Sequence, residues 1–525
     1  MTCRKLVFVL LLAGAFASAD TYYVDSESGD DQQSGTSEAG AWKSLARIGE
    51  STLAAGDQLL LKRGCRFEGA LKISVTGTEK DPVVIGAYGN GPAPVIDAKG
   101  YPAGICLVKS HYVTVKDLEI SADGGSVGTG QKDRRYGVYV QGIWGGTSHI
   151  TLDNLTIYKI YPETGSKHEG INPTSYIGTG ILIQGGEKIS STGFVVKNCR
   201  ISDVGFKAIE LKNIEQVDVL DNFMKDIGGP AIQPGNVNDL VVRGNTVDGS
   251  GSFKDPRMHG RGSGIWPWTC SRVLIEKNRF MHARGPGDSC GIHIDFNCSD
   301  VVVQYNLSVD NEGGFVEILG NNHNCAYRYN ISINDGARVK GIDGAFQEGK
   351  ILWTSGFVGS KKEKHGPYNS YIYNNTVYIK EGSRSCFSFT PTTDGLLVAN
   401  NIFYILGQTR NVSGDQTWGK FKTKGPMQRA VIENNLYARL ASWPADLEFR
   451  ETDMTIGDPQ FARPGGLNPE DYIPQNAGLI RNQGTRIKQL AGDEVGLRIG
   501  LDVKEDFFGN PIVGNPDLGA VEMIR

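Results

Sequence analysis

The stretch VVVQYNLSVDNEGGFVEILGNNHNCAYRYNISINDG, residues 301–336, contains one phrase twice: Tyr-Asn-Leu-Ser-Val from 305 and Tyr-Asn-Ile-Ser-Ile from 329. The phrase recurs as KNCRI at 197, DNFMK at 221, GNTVD at 244, KNRFM at 277, NNTVY at 374, NNIFY at 400 and NNLYA at 434. From Asn198 through Asn222, Asn245, Asn278 and Asn306 to Asn330 the steps are 24, 23, 33, 28 and 24 residues. Short alternating runs such as VDVL, LVV, VLIE and VVVQ lie between the asparagines, broken by Gly and Asn at turns. A unit this short cannot bury its own apolar face and must stack on a neighbour. The spacing therefore predicts an all-β chain, a right-handed parallel β-helix, in which steps near 24 are single coils and longer steps are coils carrying loops. The asparagines themselves read as structural residues of tight turns.

The two ends differ from the middle. WKSLARIGESTLAA, from Trp42, has helical periodicity and is expected to cap the first coil, which would otherwise expose core and an open strand edge. Residues 451–525 are rich in Pro, Gly and Asn and suit a loop-rich closing segment of the same domain, leaving 20–450 as the solenoid. Residues 1–19 combine Arg4 and Lys5, an apolar run from Leu6 to Phe16, and Ala17-Ser18-Ala19, the pattern of a secretory signal peptide cut after Ala19. A secreted or periplasmic protein is expected, with no membrane-spanning segment. The formal net charge of −4 becomes more negative once Arg4 and Lys5 are gone, which argues against a general nucleic-acid binder. The cysteines show no CxxC pair or zinc-like spacing. Cys270 and Cys298 are the pair to test for a disulfide, with buried small hydrophobes as the other reading.

YYVDSESGDDQQSGTSEAGAWKSL at the start, GDQLLLKRGCRFEGALKISVTGTEKDPVVIGAYGNG, the central VVVQYNLSVDNEGGF and RYNISINDG, and the closing DLGAVE resemble secreted right-handed β-helix proteins of bacterial carbohydrate metabolism, the pectate-lyase-like superfamily. The resemblance covers nearly the whole mature chain. It implies the fold and a carbohydrate partner, and it leaves hydrolase and lyase both open, because fold alone does not decide reaction.

If coils stack about 4.8 Å apart, residues near 24 apart become neighbours. Aligning AIELKN, AIQPGN, GIWPWT, GIHIDFN and FVEILGN puts Ile209, Ile232, Ile265, Ile292 and Val316 in one inward column. Alternation then sends Glu210, Gln233, Trp266, His293 and Glu317 outward, with Lys212, Gly235, Trp268, Asp295 and Leu319 as the next outward column. The expected result is an exterior polar and aromatic groove. Asp295 and Glu317 would face one sugar, and Asp288, in the turn before the same strand, could bend over it. The insertion FKDPRMHGRGSGIWPW would bring Arg257, His259, Arg261, Trp266 and Trp268 to the same side.

Paired carboxyls suit glycoside hydrolysis, with Asp295 as nucleophile or base and Glu317 as acid, and no cofactor is required. Trp266 and Trp268 offer flat faces for sugar rings, His293, Gln233 and Glu210 are substrate-binding candidates, and Arg261, Arg284, Lys207 and Lys212 could meet acidic or sulfated substituents. In the rival reading, a polysaccharide lyase, Asp288, Asp295 and Glu317 would hold Ca²⁺ against a uronate while Lys207, Lys212 or Arg261 takes a proton. A third reading is a non-catalytic glycan-binding surface protein, which would need no paired carboxyls.

Overall fold

The structure, a computed structural model, describes residues 19–49, 53–124, 133–143, 145–163, 176–186, 191–412 and 426–523. The expected cleavage signal therefore lies, apart from Ala19, outside the described residues. The chain winds into a right-handed parallel β-helix. Its strands lie in one sheet of 18, a second of 14 and a short third of 4, and every pairing between named strands is parallel. Apolar residues stack inside from coil to coil: Val217 on Leu240, Val273 and Val301, and Val219 on Val242, Ile275 and Val303, all buried. The expected helix is present at Leu45–Gly49, where Leu45 and Ile48 turn into the core beside Trp42.

The repeated asparagine plays a different part from the one expected. Asn222, Asn245, Asn278, Asn306, Asn330, Asn375, Asn401 and Asn435 are all buried and form one hydrogen-bonded ladder. From Asn245 onward each side-chain oxygen accepts the backbone N–H and the amide N–H of the asparagine one coil earlier, as Asn306 does for Asn278. The turn itself is made by the preceding residue, which takes the left-handed conformation: Asp221, Lys277, Tyr305 and Tyr329 all have φ between 51 and 56°. Asn198 has φ 56° and lies beside Asp221, not Asn222, so the column was displaced by one residue there and Cys199 holds the ladder position. The ladder ends on the Glu451 carboxylate, which accepts from Asn435.

Beyond the last strand, Thr455–Ile456, the C-terminal segment runs back along the flank of the solenoid. It is fastened there by Asn324 to Asp493, Arg328 to the Gly500 carbonyl and Asn374 to the Asp517 carbonyl. All eight described cysteines are free, and Cys270 and Cys298 stack unbridged in the interior, with the Cys270 N–H 3.5 Å from the Cys298 sulfur. No helix among the described residues is long and apolar enough to cross a membrane.

Candidate functional site

The predicted register is present. Ile209 pairs with Ile232, Ile232 with Ile265 and Ile265 with Ile292, and Cys290–Gly314 and Ile294–Ile318 bridges place Val316 next in line. His293 therefore sits beside Glu317, its Nε2 3.3 Å from Oε1, and stacks on Trp266 with ring centroids 4.7 Å apart. Asp295 Oδ1 lies 4.0 Å from the same His293 nitrogen, so Asp295 and Glu317 approach it from two sides.

What the sequence did not foresee is enclosure. These residues point out of the solenoid, yet Glu317 is 0%, His293 1%, Asp288 3% and Asp295 7% exposed. The expected open groove is covered at the Asp288 turn, where residues 335–349, inserted before strand Lys350–Thr354, lie over it. Phe346 packs on Gly287, where an added Cβ would stand 2.3 Å from its ring.

Enclosure sets the electrostatics. Burial pushes the Glu317 carboxyl up to about 8, with the nearby Asp288 charge adding to it, and pushes Asp295 up to about 7. Asp295 is opposed by two donors, the Trp266 indole N–H at 2.7 Å on one oxygen and the Phe296 backbone N–H at 2.9 Å on the other. Burial holds His293 down at about 4, so its ring is neutral. Cys290, whose thiol burial pushes up, donates to Glu317 Oε2 at 3.1 Å. Both His293 nitrogens and Glu317 Oε1 are buried without completing a hydrogen bond. Such atoms cost about 1–3 kcal/mol each and mark a place where something else is meant to bind.

Asp288 is paired with Arg261 and sits in a strained turn. Asp288 and Ser289 have φ of 50° and 63°, the only adjacent pair of left-handed non-glycine residues among those described. Each costs on the order of 1–2 kcal/mol, and such strain tends to collect at functional sites.

The other candidates divide. Trp266 turns its ring to His293 and its N–H to Asp295, so it orients the site instead of offering a free face, with the Arg261 guanidinium 5.6 Å from its centroid. Trp268 lies over Gly235, where a Cβ would meet its ring at 2.5 Å, and remains partly exposed, while half-buried Gln233 stands in the column of Glu210 and Trp266. Glu210 is buried and binds Lys207 at 2.6 Å and Lys212 at 2.5 Å; burial opposes its ionisation, but the two ammonium groups prevail and hold it below the usual carboxylate range. Arg284 is engaged by Asp310 and Glu312. Arg257 reaches away to Asp123 and Tyr161, and His259 packs on Phe206, so of the insertion's charged residues Arg261 is the one that meets the carboxyl cluster. Sequence reading missed Cys290, Arg338, Phe346 and Gln347.

One ligand atom each of Asp288, His293 and Glu317 lies within 4.8 Å of the others, close enough to bridge a metal. The donors do not suit calcium, which takes about six to eight oxygens, because one of the three is an imidazole and Arg261 already neutralises Asp288.

The raised carboxyls have a consequence for stability. The folded chain keeps protons on Glu317 and Asp295 that the unfolded chain has released, so stability should fall as pH rises to about 8. Neutral His293 acts oppositely, but only below its ordinary value of 6.5. Between about pH 6.5 and 8 these two carboxyls should contribute a loss on the order of 2 kcal/mol, to which Asp335 and Glu522, each raised to about 7, add in the same direction. Denaturant midpoints across that range measure it, and Glu317→Gln should flatten the slope; a profile that rises instead would contradict the burial account.

The fold defines the class of protein: a right-handed β-helix whose side carries an enclosed carboxyl cluster. A family model described as "Right handed beta helix region" matches residues 137–334 and 179–377. The chain is 27% identical to a lacto-N-biosidase of Bifidobacterium longum subsp. longum, over 96% of this chain and 36% of that protein, so it spans about a third of that relative's length. Among solved structures it resembles the GH136 lacto-N-biosidase from Eubacterium ramulus, with TM-score 0.55, 23% identity, and 75% of this chain and 68% of that one covered. It also resembles XylC in complex with xylose, with TM-score 0.54, 12% identity, and 96% and 98% covered. The two solved structures agree in fold.

Proposed function

We propose that this chain is an exported glycoside hydrolase acting on glycans of the lacto-N-biose class. The observation that carries the reading is the enclosed trio Asp288, Asp295 and Glu317 around a neutral His293 with unpartnered polar atoms. Similarity to a lacto-N-biosidase along nearly the whole chain supports the substrate class. Export rests on the pattern of residues 1–19.

In this reading Asp295, in the ionised form it takes as pH rises through about 7, attacks the anomeric carbon or takes a proton from the attacking water, held in aim by Trp266 and Phe296. The bond to the leaving oxygen breaks as that oxygen gains a proton. Glu317 holds this proton at neutral pH, but it is fully buried beside His293. Asp288, within 4.8 Å of it on the strained turn, is the member of the cluster placed to deliver it. Enclosure thus moves Glu317 from direct acid to proton reserve. Trp268 supplies the apolar face for a neighbouring sugar ring.

An acidic or sulfated substrate has less support, because Lys207, Lys212, Arg261 and Arg284 are each already on a carboxylate. The same pairing weighs against a lyase, which needs one of them as a base. The test is product mass after incubating the purified chain with a p-nitrophenyl lacto-N-bioside and with a uronate-containing polysaccharide. Release of the disaccharide with one water added is the expected result. A product lighter by one water, with the absorbance of an unsaturated uronate, would replace this reading with elimination, and binding without cleavage would leave a glycan-binding protein.

A further inference from the structure

We propose that the 335–349 loop is a clamp that fixes Asp288 in its working pose, with Gln347 and Arg338 as positioning residues. The catalytic half of this rests on the role given to Asp288 above; the mechanical half stands on contacts alone. A turn with two adjacent left-handed side chains relaxes unless its surroundings hold it. Here the Gln347 side-chain oxygen accepts the Asp288 N–H at 2.8 Å, and the buried Arg338 guanidinium donates to the Asp288 carbonyl at 2.9 Å and the Gly285 carbonyl at 3.1 Å. Arg338 Nε also donates to the Gln347 carbonyl at 2.9 Å, so the two grips are joined. The turn is held on both sides of its strained residue, at the Asp288 N–H and carbonyl and not at its carboxyl.

The clamp is anchored farther along. Glu348, next to Gln347, accepts from Arg384 at 2.8 Å and from Arg410. Arg384 belongs to strand Arg384–Phe389 and Arg410 to strand Gln408–Asn411. The Cys290–Gly314, Gly314–Lys350, Lys350–Cys386 and Cys386–Arg410 pairings put Arg410 four coils from the Asp288 strand, about 19 Å along the solenoid axis. A side chain that far from any sugar is thereby tied to the acid's geometry.

The test compares Gln347→Ala, Gln347→Glu and Arg410→Ala in the full chain. A misplacement near 1 Å can cost about 10²-fold in rate. Gln347→Ala should therefore lower kcat by about 10- to 100-fold with KM changed less than about threefold, and should speed hydrogen exchange in the peptide spanning residues 284–292. Gln347→Glu, which keeps an acceptor oxygen, should restore most of both. Arg410→Ala should show the same pattern, more weakly, and guards against a Gln347 variant that fails to fold. Unchanged kcat in Gln347→Ala, or a change confined to KM, would overturn the clamp as a catalytic device, and unchanged exchange would overturn its mechanical half. Should Asp288→Asn keep full turnover, the catalytic role of Asp288 falls, while the exchange measurement still decides whether the loop holds the turn.

Discussion

Asp295→Asn should lower kcat by about 10² or more while the chain stays folded. The substitution keeps shape and volume but gives up the charge that attacks carbon or takes the proton. The new amide can still accept from Trp266 or Phe296 through its oxygen, so the cost to the fold is at most the loss of one of these two bonds. Added azide should restore turnover by standing where the carboxylate stood, and the anomeric configuration of the glycosyl azide would tell retention from inversion. Asp288→Asn should be comparably impaired but unresponsive to azide with a substrate that needs leaving-group protonation, and rescued by one whose leaving group departs unaided. If Asp295→Asn turns over at the wild-type rate, the carboxyl cluster is not arranged around Asp295.

The largest stability effect is expected at a residue far from the sugar. In Asn306→Leu the buried side chain is nearly isosteric, but the ladder is cut. The Asn278 N–H loses its acceptor and the Asn278 amide one of its two, the Asn330 oxygen loses one of its donors, and the Ile275 and Gln304 carbonyls each lose the Asn306 amide. Orphaned buried groups cost about 1–3 kcal/mol each, with partial relaxation, so a total near 3–5 kcal/mol is expected, a large part of the usual stability of a domain. Equilibrium denaturation measures it. A loss below about 1 kcal/mol would mean that the apolar columns alone set the coil.

How much of this was legible follows from what repeats. The columns through Ile209 and Glu210 could be read because alternation and coil spacing are local patterns, and the pairing of His293 with Glu317 came from them. The displacement at Asn198 arose because two adjacent positions of each turn accept asparagine, one for its left-handed backbone and one for its buried amide. Asn198 fills the first of these and Cys199 the second. The enclosure of the carboxyls could not be read from their own strand. At Asp288 it comes from residues 335–349, whose contacts to that turn have no periodic signature; the only signal was the step of 45 residues between Asn330 and Asn375, which required extra chain to lie on some face.

The asparagine ladder also governs how such a protein can change over evolutionary time. Its rungs are separated by 23, 33, 28, 24, 45, 26 and 34 residues, yet the hydrogen bonds from rung to rung hardly vary. The differences in coil length thus fall outside the asparagine corner, as in the 250–263 and 335–349 insertions. One edge of the solenoid acts as a fixed spine, and the opposite side is free to acquire, lengthen or exchange loops without disturbing the winding. New specificities can then arise by grafting at those insertions, one coil at a time, on a frame that does not have to be refolded to receive them.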